Sequence, residues 1–157
     1  TKLPFMNNSV DRVLALESAQ HFKPLVDFIL ESKRVLIKSG LLVMAVPITV
    51  GDSSLGKLGL LKFTWSSEHY RLDYLKNLLT SNGFNIIDET LIGSDVYEPL
   101  ADYYVKNRKT LRHNILEHYP GYMEQILHKS LLKMKKASEE KIIDYVLIKC
   151  ILDDTSE

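Results

Sequence analysis

A chain of 157 residues that is 45% hydrophobic and 25% charged has the size and make-up of one globular domain. Basic and acidic side chains balance at 20 each, so no global field draws the chain to nucleic acid or to an anionic membrane. The one cysteine, Cys150, has no internal disulfide partner, and every apolar run is too short to span a bilayer or serve as a secretory signal; a reducing, cytoplasmic setting is expected.

Val10 to Leu16 (Val-Asp-Arg-Val-Leu-Ala-Leu) follows an Asn7-Asn8-Ser9 turn and reads as a short buried strand. It ends in Glu17-Ser18-Ala19-Gln20-His21, a polar tip that either surfaces into solvent or delivers chemistry to a cleft. Leu25, Phe28, Ile29 and Leu36 recur at helical spacing, which predicts an amphipathic helix over 23–37 closed by Ser39-Gly40. Leu41 to Val50 is continuously apolar, the pattern of a strand covered on both faces; Met44, Val46 and Pro47 read as core. Residues 51–65, with Gly51, Gly56 and Gly59, read as a loop.

Ser66-Ser67 are placed to cap a helix carrying Leu72, Leu75, Leu78 and Leu79, and Asn82-Gly83 to stop it. A third strand is predicted over 85–93 and a fourth over 142–152. Between them, residues 94–140 hold two amphipathic stripes, one through Tyr97, Leu100, Ala101, Tyr104, Leu111 and Ile115, the other through Met123, Ile126, Leu127, Leu131 and Met134. Pro120 is placed to open the second helix. Strands alternating with helices predict parallel βαβ units in an α/β, doubly wound sheet. Four strands are fewer than such a sheet usually carries, so the chain reads as its second half. Lys133 to Lys141, the one charge run, reads as a solvated face.

Leu3-Pro4-Phe5, then Val10-Asp11-Arg12-Val13, Glu17-Ser18-Ala19-Gln20-His21 and Arg34-Val35-Leu36-Ile37-Lys38-Ser39-Gly40, in that order and spacing, resemble class I S-adenosylmethionine-dependent methyltransferases. The likeness is nearest to the small-molecule branch of sterol, tocopherol and macrolide-sugar enzymes, and runs well to about residue 93. Val10, Ser39 and Leu41 stand where the family has Phe, Pro and Gly. The family's glycine-rich cofactor loop has no counterpart, because Gly56-Lys57-Leu58-Gly59 lacks a strand–loop–helix setting. The resemblance therefore implies a Rossmann-like, partial methyltransferase domain over 1–157. In it, 94–140 would be a helical cap inserted before the last strand, and the fragment by itself would be inactive.

The same resemblance implies S-adenosylmethionine as cofactor, with Leu3 against the adenine edge and Glu17 and Ser18 near its methionine end. In an open α/β sheet the ligand lies beyond the carboxyl ends of the strands, which is where the polar tip would sit. His21, an imidazole with an ordinary pKa of about 6.5, would be the general base if the nucleophile is a hydroxyl. It otherwise caps the next helix or lines the pocket. Gln20, Trp65, Tyr97 and Tyr104 are the candidate acceptor contacts, the alternative being that Trp65 anchors the surface and the tyrosine stripe only docks the cap. Ser18 reads equally as satisfying backbone groups at the strand end. His113, His118 and His128 lack the i, i+4 spacing of a metal pair, so no metal is expected. The expected partners are a small-molecule acceptor and either a second copy of the chain or an N-terminal half. A non-catalytic α/β binding or dimerisation module is the rival reading.

Overall fold

The computed structural model describes residues 2–50 and 70–153. They fall into two compact units: a sheet unit holding 2–49, 70–91 and 145–153, and a helical unit holding Val50 and Ile92–Asp144. The expected loop at 51–65, Trp65, and Ser66-Ser67 lie outside the described residues.

The sheet is built from β1 (Val10–Leu16), β2 (Leu36–Thr49), β3 (Tyr70–Arg71), β4 (Phe84–Leu91) and β5 (Ile143–Leu152). Its order is β1-β2-β5-β4, with the two-residue β3 pairing in parallel with β2 at Ile48 and Thr49. The central strands β2 and β5 carry the continuous apolar runs: one face is fully buried at Leu42, Met44, Val46, Ile48, Val146, Ile148 and Cys150, while Leu41, Val43, Ala45, Leu147 and Ile151 between them are half-buried. Burial pushes the Cys150 thiol up to about 12, so it stays protonated. Helices α1 (Leu25–Val35) and α2 (Leu72–Ser81) contribute Phe28, Ile29, Leu75 and Leu79 to the same core. Gly83 ends α2 at φ 88°, a left-handed angle that glycine adopts without a Cβ penalty, and Phe84 follows it into the core.

Five expectations are corrected. The sheet is mixed: β1 and β2 are parallel, but β5 runs antiparallel to β4, with Leu91 opposite Val146 and Phe84 opposite Leu152. The chain leaves for the helical unit at Ile92 and returns at Asp144, and the Gly93 amide donates to the Asp144 carboxylate at 2.8 Å. Exit and return thus sit side by side, and the next strand has to run back along β4.

β1 is not buried. Its Ala15 is covered, but Leu14 and Leu16 are 63% and 59% exposed on one face, as befits a strand with a neighbour on one side among the described residues. Leu36 opens β2 opposite Val10 instead of closing α1, because its side chain is drawn fully into the sheet core. Ser39-Gly40 do form a turn, with Ser39 at φ 58°, but inside β2: the register jumps from Val10–Leu36 to Arg12–Leu41, a bulge. Finally, α2 starts at Leu72 with Arg71 in the cap position, since Tyr70 and Arg71 are taken up by β3.

The helical unit is an antiparallel pair, α3 (Gly93–Leu116) and α4 (Gly121–Glu139), with Pro120 at the N-cap of α4 as its fixed φ favours. Ala101, Tyr104 and Leu131 form its apolar centre, packed by Leu111, Ile115 and Met134.

Candidate functional site at the tip of the first strand

β1 delivers Glu17 past its last ladder bond, the Glu17 amide donating to the Ala45 carbonyl at 3.2 Å. The chain then turns sharply, with Glu17 at φ 51°. A side-chain-bearing residue in that region costs on the order of 1 kcal/mol, so something has to hold it there. Tyr145, a buried residue near the start of β5, does so: its hydroxyl donates to Glu17 Oε1 at 2.5 Å and lies 3.0 Å from the Ala45 carbonyl. Burial, and then the Glu17 carboxylate, push the Tyr145 hydroxyl pKa upward, which keeps it a proton donor.

Glu17 Oε2 in turn accepts from Gln20 Nε2 at 3.1 Å. Gln20 is 3% exposed, and its Oε1 has no partner among the described residues. A single 3-10 turn, Ala19–His21, continues the tip, closed by the His21 amide donating to the Ser18 carbonyl at 3.0 Å. Ser18 stands at the cap position of that turn, half-buried, without using its hydroxyl to cap it. His21 is exposed to solvent.

Leu3 is placed by a staple. Arg34, in the last turn of α1, spends all five N–H donors at once: two on Glu31, and one each on the Phe5 carbonyl (2.9 Å), Asn7 Oδ1 (2.8 Å) and the Leu3 carbonyl (3.2 Å). The Leu3 amide closes the ring by donating to Glu31 Oε1 at 2.7 Å. The Arg34 guanidinium, and after it the Leu3 amide, hold the Glu31 carboxyl at about 2. The Leu-Pro-Phe and Arg-Val-Leu motifs are thus one contact seen twice in the sequence.

Tyr97 and Tyr104 are buried within the helical unit, their hydroxyls donating to the Asp144 carbonyl (3.3 Å) and to Glu124 Oε1 (3.0 Å). Glu124 is fully buried and also takes two bonds from Arg108, with Arg112 at 3.5 Å; the Arg108 pairing holds its carboxyl at about 2 against the opposing effect of burial. A shallow groove of about 250 Å³ in the helical unit is lined by Lys133, Lys136, Ala137, Glu140 and Ile142, and contains none of the expected site residues.

Sequence reasoning missed Tyr145 and the role of Arg34. Arg34 was visible as part of a motif, whereas nothing local marks Tyr145, which lies 128 positions from Glu17.

A strained turn, a braced carboxylate, a spare serine hydroxyl and an unmatched buried amide oxygen are what a polar ligand at this strand end would need; the residues present fit the methionine end of a cofactor.

Residues 1–44, from the Leu-Pro-Phe segment through the tip and into β2, match the family model of a methyltransferase domain. No curated protein matches the chain. Among solved structures, the cyclopropane synthase MmaA2 of Mycobacterium tuberculosis superposes with a TM-score of 0.79 at 15% identity, over 93% of this chain and 56% of its own. A phosphoethanolamine N-methyltransferase of Haemonchus contortus, solved with S-adenosylhomocysteine, gives 0.75 at 13% identity over 96% and 35%. A geranyl diphosphate C-methyltransferase of Streptomyces coelicolor, also with S-adenosylhomocysteine, gives 0.73 at 14% identity over 96% and 50%. The chain spans about half the length of the structures it matches first. The fold is thus the Rossmann-like one of the class I methyltransferases, over about half of those structures' length, and the first 44 residues match the methyltransferase domain by sequence as well.

Proposed function

We propose that the chain forms the C-terminal portion of an S-adenosylmethionine-dependent methyltransferase acting on a small, lipophilic acceptor with a hydroxyl or amine nucleophile. The observation that supports this best is the coincidence of the methyltransferase-domain match with the braced tip of β1. Bound there, the cofactor supplies a methyl group already activated on a sulfonium sulfur. What remains for the protein is alignment and exclusion of water. Leu3, pinned by Arg34, offers an apolar contact for the adenine edge, and Ser18 offers a hydroxyl to the methionine end. His21, exposed in the same turn as Ser18, takes the proton of a hydroxyl acceptor on an imidazole nitrogen, while a neutral amine needs no such base. Tyr97 and Tyr104 donate their hydroxyl protons within the helical unit, which leaves their ring edges and hydroxyl lone pairs for an acceptor.

The test is calorimetric titration with S-adenosylhomocysteine, on residues 1–157 and on the encoded chain extended upstream to the length of the matching structures. The expected result is heat from the extended chain and none from 1–157. Silence from the extended chain overturns the reading. One feature favours the rival, an association module: the exposed Leu14 and Leu16 along β1, a face suited to pairing with another polypeptide.

A further inference from the structure

We propose that Tyr145 is a positioning residue for the ligand-binding tip of β1, locking Glu17 in its left-handed conformation so that Ser18 and Gln20 are held ready before any ligand arrives. The inference rests on the methyltransferase reading. Three independent observations carry it. Glu17 sits at φ 51°, a conformation its side chain does not favour. The Tyr145 hydroxyl makes a 2.5 Å bond to the Glu17 carboxylate, and Tyr145 is itself 4% exposed, so the donor is fixed by the packing of β5. Gln20, tied to the other carboxylate oxygen at 3.1 Å, is 3% exposed and carries an amide oxygen with no partner among the described residues. A buried acceptor left unmatched is costly for a fold and useful to a ligand that brings a donor.

The geometry also defines what Tyr145 does not do. Its hydroxyl has one proton and two oxygens in reach, Glu17 Oε1 and the Ala45 carbonyl at 3.0 Å, and the charged, nearer carboxylate holds the stronger claim. Glu17 is therefore a brace as well as a side chain at the site, and removing either partner should release the same turn. Tyr145 acts through Glu17 and need not touch the ligand.

The experiment uses the upstream-extended chain and S-adenosylhomocysteine as the probe, with Tyr145→Phe, Glu17→Ala and the double variant. Affinity is read by calorimetry, and backbone protection over residues 17–21 by hydrogen exchange of the ligand-free protein. Tyr145→Phe should weaken binding about tenfold and speed exchange at 17–21 while leaving β2 protected. The double variant should bind no worse than the weaker single one, because both changes break one contact. If Tyr145→Phe lowers the unfolding temperature yet keeps affinity within twofold, the contact is structural and the proposal falls. Independent, multiplying losses in the double variant overturn it too. Absence of binding in the unmutated extended chain removes the methyltransferase reading along with it, whereas binding that is indifferent to Tyr145 removes this inference alone.

Discussion

Glu124 shows what a single buried charge can do for the helical unit. It has no exposed surface, yet it accepts from Tyr104 and twice from Arg108, so its charge is matched where it lies. The Arg108 pairing depresses its pKa to about 2 in the folded chain, against an ordinary glutamate value of about 4.3. A depressed carboxyl contributes stability above its unfolded pKa and loses it as pH falls towards the folded one. Helical signal of the wild-type unit should therefore decline in stability between about pH 5 and pH 2, and Glu124→Gln should flatten that dependence while lowering stability at neutral pH. Urea midpoints across that pH range measure it; parallel curves for the two proteins would contradict the assignment. None of this was legible in sequence, where Tyr104 read as a position in an apolar stripe or an acceptor contact and Glu124 drew no reading at all. Helical periodicity reports which face is buried but not which polar group is carried in with it.

At the level of elements, legibility followed how local the cause was. The 41–50 run announced a central strand because its composition encodes burial, though one face is only half-buried up to Ala45, and Asn82-Gly83 announced a helix end because the left-handed angle is a one-residue requirement. The direction of β5 was hidden, since it depends on where the chain re-enters after Ile92–Asp144, a relation between residues some fifty positions apart. The exposure of β1 was hidden for the same reason: Val-Leu-Ala-Leu describes a strand that could be central, and only its neighbours decide.

The entry to α3 makes the point testable. A Cβ on Gly93 would lie 2.5 Å from Asp144 Oδ1 and 3.0 Å from the Asp144 Cα, a backbone atom of β5 that cannot swing aside. Gly93→Ala should destabilise by about 1–3 kcal/mol, the usual cost of overpacking a tight site, as read from denaturant unfolding. A neutral result would mean that Asp144 can shift without loss.

For the whole molecule, the governing facts are the open face of β1 and the share of the matching folds that this chain represents. Leu14 and Leu16 stand out from a strand that has β2 on one side only among the described residues. Such a strand recruits partners unless charge discourages it. Residues 1–157 should accordingly self-associate at high concentration, and Leu14→Lys with Leu16→Lys should shift sedimentation towards monomer while leaving the unfolding midpoint nearly unchanged. A monomer in both cases would leave that face without a role in assembly. The fold was readable at this scale because the ordered motifs lie within the first 44 residues, the stretch that matches the methyltransferase domain by sequence. The candidate site was readable only in part: its strand end was marked by the polar run, but the tyrosine that braces it arrives from the far end of the chain.

The bond between Gly93 and Asp144 has a consequence for how such a protein can diversify. Because the two ends of the helical hairpin meet at this bond, the spacing of its entry and exit is set whatever lies between them. Helices of another length or lining can be exchanged there while the register of β4 on β5 stays as it is, so the sheet and the hairpin are free to change at different rates.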